Sequence, residues 1–375
     1  MAYSINNVVT FKTVDAIGKH EIDKISKDPL FTYDWLKTVE STQSMDYHPV
    51  YVTLYDVGEL VAFASCFIER TGKNFCFGPH FSRFRDRFLR IGKKVGLWKN
   101  DFLLCCSPYS CRSKILLGKN SKNNLSAAEI IKKMNGVCQS QSVLFSVFPF
   151  VSEFDKVLLN NLEKLGYQKM YFSTTQRIDV SWASFDDYLK SLKSRTRQNI
   201  KREIKKFEQS GIIIEEPEDI STFSDALSGL FANLLSKYEK EDRSLTSKAF
   251  YENVNCCAKN KVKVFIAKKD GITIGFSFGL YNNEVLDLTH CGFNYDLIGK
   301  TDAVYFNLAY YEPIKWAIKK GIKKIYYRKK AEEAKRRRGC KSEKNYCYIK
   351  CHNKAINCLL DIYFKTRINK KEVEF

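Results

Sequence analysis

The sequence predicts an α/β chain built from two similar units, each a mixed sheet flanked by helices. Three observations carry that expectation. HPVYVTLYDVGELVAFASCFI (48–68) and KVKVFIAKKDGITIGFSFGLY (261–281) share one pattern: a strand, a tight turn and a second strand. LEKLGYQKMYF (162–172) and AIKKGIKKIYY (317–327) share another, in which a helix closes on a Gly and the chain enters a basic, aromatic strand. Between the copies lies SFDDYLKSLKSRTRQNIKREIKKFEQSGI (184–212), whose apolar residues recur at helical spacing.

Each element has a local reason. The runs around Val57-Gly58 and Asp270-Gly271 are rich in β-branched and aromatic residues, and a two-residue turn at those positions makes each a hairpin. EFDKVLLNNLEKLG and YYEPIKWAIKKG read as amphipathic helices. Gly166 and Gly321 then fall where a left-handed residue ends a helix. In 184–212, Phe185, Tyr188, Leu189 and Leu192 form one apolar stripe, and Ile200, Ile204 and Phe207 continue it. Above that stripe, eight Lys and Arg fall within 190–206 against one acid, Glu203. The stripe is expected to pack on the second unit's sheet, with the charge facing a cleft or solvent. The expected division is therefore 1–180, a connecting basic helix region at 181–212, and 213–375.

Composition narrows the partners. With 44% hydrophobic and 14% aromatic residues, a chain of 375 residues can bury a sizeable core. No apolar run is long enough to span a bilayer. The N-terminus also lacks the basic and apolar regions of a signal peptide, so a cytoplasmic protein is expected. The net charge is +20; residues 1–180 hold +7 of it and residues 181–375 hold +13. Such a field concentrates anions, among them nucleic acid and phosphate-bearing small molecules. The second basic cluster, YYRKKAEEAKRRRGCK (326–341), interleaves tyrosines with cations.

Several motifs are excluded. The 13 Cys form no disulfide framework. Cys340, Cys347, Cys351, His352 and Cys358 match no familiar zinc spacing, and no metal site is expected. IGKT (298–301) is not a P-loop, because Asn294 stands where the first Gly must be. RIGKKVG (90–96) lacks the strand–helix context of a dinucleotide fingerprint. Neither H-E-x-x-H nor G-x-S-x-G occurs. Cys106 and Cys111 have no paired base to make either a nucleophile.

The tandem layout, the intervening segment 184–212 and the late YFNLAYYEPIKWAIKKGIKKI together resemble the FemAB-like N-acyltransferases of the GNAT superfamily, in the branch described as peptidoglycan biosynthesis or recognition proteins. The late pattern of that family runs roughly H-F-E-x-C-Y-Y, then a helix, then E-H-K-x-x-R-G-F. Phe306, Tyr310, Tyr311, Glu333, Lys335, Arg338 and Gly339 match it, whereas Tyr305, Asn307, Ala309 and Ala334 replace its His, Glu, Cys and second His.

The resemblance implies tandem GNAT-like units that move an acyl or aminoacyl group onto an amine, in cell-envelope or natural-product biosynthesis. It implies no tightly bound cofactor. The co-substrate would be acyl-CoA or aminoacyl-tRNA, and the acceptor stays open. Tyr310, Tyr311 and Glu333 become the candidate catalytic residues. Arg195, Arg202, Gly299, Lys300, Thr301, Lys335 and Arg338 become candidate phosphate ligands, with Arg195, Arg202, Lys335 and Arg338 expected to converge on one cleft. The other reading is a catalytically silent GNAT-fold protein that binds a phosphate-bearing ligand or RNA.

Overall fold

The computed structural model describes residues 7–42, 48–69, 101–108, 110–237, 247–299, 302–328 and 331–363. The chain forms two compact units. Unit 1 holds Met1–Ser26, Met45–Thr174 and Glu343–Phe375; unit 2 holds Lys27–Ser44 and Thr175–Ser342. In chain order the strands are β1 (Asn7–Phe11), β2 (His48–Asp56), β3 (Glu59–Glu69), β4 (Phe102–Cys105), β5 (Leu116–Leu117), β6 (Phe145–Ser152) and β7 (Gln168–Asp179). They continue as β8 (Ile213–Glu215), β9 (Val262–Lys269), β10 (Ile272–Tyr281), β11 (Val285–Phe293), β12 (Lys324–Tyr327) and β13 (Lys341–Cys351).

In unit 1 the strand order is β1-β2-β3-β4-β6-β13-β7, with β5 paired to β3. The β4–β6 pair is parallel, because helix Asn124–Ser140 crosses over between them. Unit 2 runs β8-β9-β10-β11-β12-β7. Its parallel pair is β11–β12, joined by the helical stretch 304–320. The first residues of β13 lie beside β7 here, where Gln176 Nε2 donates to Ser342 Oγ at 2.9 Å and Lys341 Nζ donates to Asp179 at 2.9 Å. The two orders therefore match strand for strand.

This division differs from the linear one expected at 180 and 212. The strand beside β6 is β13, from the far end of the chain, and the strand beside β12 is β7. Periodicity marks a strand but not its partner, so such non-local pairing has no local signature. Segment 184–212 belongs to unit 2 and forms two helices, Phe185–Ser191 and Ser194–Glu208. Ser184 caps the first through its Oγ, which accepts from Asp187 N–H at 3.1 Å. As the apolar stripe required, Tyr188, Leu189, Ile200 and Phe207 sit in the unit 2 core with Ile314, Trp316 and Ile325.

The two echoes in the sequence are matched backbone for backbone. Val57 (φ 49°) and Gly58 (φ 77°) turn the first hairpin, Asp270 (φ 50°) and Gly271 (φ 78°) the second. Left-handed values at both central residues make each a type I′ turn, and Val57 is the unfavourable one because its side chain is β-branched. Gly166 and Gly321 each close a helix with the same pair of bonds. Tyr167 N–H reaches Leu162 O at 3.0 Å and Gly166 N–H reaches Glu163 O at 3.1 Å. Ile322 N–H reaches Ala317 O at 2.9 Å and Gly321 N–H reaches Ile318 O at 3.1 Å. Among the described residues no helix is long and apolar enough to cross a membrane.

Candidate active site

The site is assembled from three helical pieces of unit 2. The first is the stretch that starts as Val304–Phe306, widens into a π-helical turn at Asn307–Tyr311 and continues as Glu312–Lys320. A π turn inserts one residue into the helical repeat and re-aims the side chains around it. Asn307 is buried inside the turn. Its Nδ2 donates to Ala303 O at 3.0 Å and to Glu203 O at 3.4 Å, which ties this helix to the basic helix Ser194–Glu208. The third piece, Glu332–Arg337, ends at Arg338 and Gly339, whose φ of 88° turns the chain into β13.

Arg338, Glu203 and Tyr311 meet at the centre. Arg338 Nη2 lies 2.8 Å from Glu203 Oε2, Arg338 Nε donates to Tyr311 OH at 3.0 Å, and Tyr311 OH donates to Glu203 Oε2. The guanidinium stacks 3.7 Å from the Phe306 ring centre, and its Nη1 donates to Ala334 O at 3.1 Å. Only 7% of the Arg338 side chain is exposed, against 25% for Glu203. Burial pushes the Tyr311 phenol well above its ordinary pKa even though Arg338 pulls it down, so the hydroxyl stays protonated as a donor. Burial alone would lower Arg338, but Tyr311 and Glu203 beside it raise it. A cleft of about 260 Å³ opens onto this group, lined by Thr196, Asn199, Ile200, Glu203, Phe306, Glu333, Ala334, Arg337 and Arg338.

A family model described as FemAB-like, peptidoglycan biosynthesis/recognition, matches residues 12–374. The chain belongs to the FemAB-like family. Its fold is shared by solved structures at low identity. One is FemX, at 10% identity and a TM-score of 0.59, covering 91% of this chain and 96% of that one. Another is the C-terminal domain of a putative lysylphosphatidylglycerol synthetase from Agrobacterium fabrum, at 10% identity and 0.57, covering 92% and 93%. A third is a tandem GNAT protein from the clavulanic acid biosynthesis pathway, at 7% identity and 0.53, covering 93% and 99%. A comparison with curated protein sequences finds no match.

The residues singled out by the FemAB-like pattern scatter more than expected. Arg338 and Glu333 line the cleft, and Tyr311 sits directly behind it. Glu333 is exposed and paired with Arg337. Tyr310 is buried, stacked on Tyr327 at 5.1 Å with its hydroxyl 3.5 Å from that of Tyr305, and burial holds its pKa well up. It therefore supports the wall rather than bordering the cleft.

The four cations do not converge. Lys335 is buried and donates to Arg328 O, because its position on the short helix points it inward. Arg195 is exposed and outside the cleft lining. Arg202 is exposed too and donates to Asn199, which does line the cleft. Gly299 N–H is taken by Asp302 Oδ2 at 2.9 Å, so a carboxylate of the loop itself occupies that donor. Lys300 and Thr301 lie outside the described residues.

The residue that sequence reasoning left out of the site is Glu203. Its signal was present: it is the single acid in a run of cations, next to Ile204 and at helical spacing from Ile200 and Phe207. An acid at the margin of a buried stripe requires a buried partner, and Arg338 supplies it.

Proposed function

We propose that the protein transfers an acyl or aminoacyl group from a phosphate-bearing donor to an amine, and that the unit 2 cleft receives the amine. The observation that carries this is the Glu203 carboxylate, held by Arg338 and Tyr311 through Oε2 alone and facing a cleft walled by Phe306. Oε1 is left for an amine N–H. An alkyl amine is protonated in water, with a pKa near that of Lys, about 10.4. A carboxylate binds that cation and orients it.

The bound ammonium first loses one proton to bulk water; the lone pair of the neutral amine then attacks the donor carbonyl, a C–N bond forms and the nitrogen becomes strongly acidic. Glu203 then takes its proton, the C–O or C–S bond to the donor breaks, and the leaving oxygen or sulfur takes a proton in turn. Arg338 and Tyr311 fix the orientation of the Glu203 carboxylate for that step. The donor is acyl-CoA or aminoacyl-tRNA. The exposed cations of the basic helix, among them Arg195, Lys201, Arg202, Lys205 and Lys206, support a donor with an extended phosphate track and favour tRNA.

The test supplies acetyl-CoA or bulk aminoacylated tRNA together with a panel of primary amines, and reads N-acylated product by mass spectrometry. Glu203→Gln keeps the side-chain volume and the neighbouring hydrogen bonds. It is expected to lower turnover on the order of a hundredfold while donor affinity is kept. Wild-type protein that binds a donor yet forms no product with any amine would instead support the silent, binding-only reading, which the replacement of family acid–base residues by Tyr305, Asn307 and Ala334 favours.

A further inference from the structure

Unit 2 has a second cavity, of about 270 Å³, that shares no lining residue with the cleft. The helical stretch 304–320 joins the two. Phe306 borders the cleft near its start, and Trp316 and Lys320 border the cavity near its end. Ten residues of helix separate Phe306 from Trp316, roughly 15 Å at the rise of an α-helix. The cavity therefore lies well away from the proposed chemistry.

Its walls combine an aromatic floor with cations. Trp316 is held edge-to-face by Tyr281, ring centres 4.9 Å apart at 77°, and by Phe265 at 6.5 Å and 84°. Lys263 Nζ lies 5.5 Å from the Trp316 ring centre and pairs with Glu216. That pair neutralises itself. Lys259 and Lys320 also border the cavity; Lys259 lies within electrostatic reach of Asp219, and no ion pair ties down Lys320 among the described residues. Glu218 is on the rim and repels a second negative charge. A core tryptophan needs no lysines around it, and a solvated lysine cluster needs no tryptophan.

We infer that this cavity binds a small aromatic anion, one ring seated against Trp316 and Tyr281 with its single phosphate or carboxylate held by Lys259 and Lys320. Ring and charge are both required, because each alone is only a weak contact at an exposed site. The volume accommodates one ring and one anionic head group. The inference stands apart from acyl transfer, so its failure leaves the reading of the cleft untouched.

The full chain labelled with 5-fluorotryptophan provides the readout, with Trp316→Phe assigning the Trp316 fluorine resonance. Phenyl phosphate is expected to shift that resonance saturably. Phenol and inorganic phosphate, which each supply half of the recognition, are expected to bind at least about tenfold more weakly. The double variant Lys259→Gln/Lys320→Gln should weaken phenyl phosphate by about tenfold or more while leaving the fluorine spectrum of the free protein in place. An unmoved Trp316 resonance at millimolar phenyl phosphate overturns the inference. So does inorganic phosphate binding as tightly as phenyl phosphate, which makes the site a plain anion patch. Undiminished binding by the double variant, with its spectrum intact, overturns the role of the lysines and with it the anionic ligand.

Discussion

Helix Asn124–Ser140 in unit 1 and the stretch 304–320 in unit 2 occupy the same place in the same strand order, yet they bury different things. Each joins the two strands of a parallel pair in its unit. The unit 1 helix is regular along its length and buries Ile130, Ile131, Met134 and Val137 against its sheet. The unit 2 stretch is broken by a π turn and buries Asn307, Tyr310 and Tyr311, whose polar atoms reach Glu203, Tyr305 and Arg338. Both units also bury a hydrogen-bonded network. In unit 1 it is neutral: Ser146 Oγ donates to Tyr167 OH at 2.7 Å, Tyr167 OH donates to Asn135 Oδ1 at 2.7 Å, and His352 Nε2 lies 3.0 Å from Ser146 Oγ. In unit 2 it is charged and opens onto a cleft. A neutral, largely enclosed network fixes a core, whereas a buried ion pair at a cleft costs desolvation and is retained where the charge has something to do.

The comparison breaks most visibly at Arg338. Removing one partner of a buried ion pair leaves the other uncompensated. Arg338→Ala is therefore expected to cost about 3–5 kcal/mol of stability and to abolish transfer, in chemical denaturation and product assays respectively. The same residue read only from sequence, as a phosphate ligand in a cleft, would have left the melting point nearly unchanged. A double-mutant cycle of Arg338→Ala with Glu203→Gln should recover part of the loss, since the stranded charge is gone.

Next in size is a pair of substitutions that separates the two helices. Ile131→Ala opens a cavity in the unit 1 core and should cost about 2–5 kcal/mol, with kcat and KM unchanged in the fraction that stays folded. Tyr311→Phe keeps the ring and deletes only the hydroxyl between Arg338 and Glu203. Its stability cost should be about 1–2 kcal/mol, while kcat falls at least tenfold, on the low side of the usual range for proton-transfer groups. Equal kcat for Tyr311→Phe and wild type would reduce the unit 2 network to a core device like that of unit 1.

Acid should expose the neutral network. Burial, with Lys350 adding to it, holds the His352 pKa down to about 4, and burial, with Arg328, holds His290 down to about 3. In the unfolded chain a histidine titrates near 6.5. As pH falls, the unfolded chain takes up the proton first, so stability present above about 6.5 is lost progressively toward pH 4. His352→Asn should flatten that acid loss by at most one proton's worth of slope, read from urea midpoints at pH 7 and pH 4.5. An unchanged slope would mean that His352 titrates alike in both states.

Much of this architecture could be read in advance because it is written locally. Val57-Gly58 and Asp270-Gly271 each mark a tight turn between two strand patterns, and Gly166 and Gly321 close helices by the same two bonds. The stripe from Tyr188 to Phe207 announces its burial by period. What could not be read is written between distant residues. Nothing in Lys341–Cys351 marks it as the neighbour of β6, and that pairing is what makes the linear division fail. Within the site, Arg338 and Lys335 are three residues apart on one helical end, alike in charge, and one faces the cleft while the other is tied to Arg328 O. Charge type predicts that a lysine or arginine wants an acceptor; only the packing of neighbouring helices decides whether that acceptor is a ligand, a carboxylate or a carbonyl.

The smallest expected effect lies on the exposed side of the basic helix. Arg202 is exposed and, among the described residues, its side chain bonds to Asn199, so its truncation exposes no cavity and strands no buried charge. Arg202→Ala should leave the stability within about 0.5 kcal/mol of wild type. If the helix tracks a phosphate backbone, the same change lowers affinity for bulk tRNA and reduces the slope of log affinity against log salt by about one ion. The wild-type slope itself should correspond to roughly four to eight released ions, measured by fluorescence anisotropy between low and physiological salt. CoA presents only a few phosphates at one spot, so a shallow slope with tight binding of a CoA ester would assign the donor to that class. Arg195→Ala, one exposed cation further along the helix, must then behave like Arg202→Ala on tRNA, because a phosphate track sums equivalent contacts. A loss confined to one of the two arginines would instead point to a single anchored phosphate.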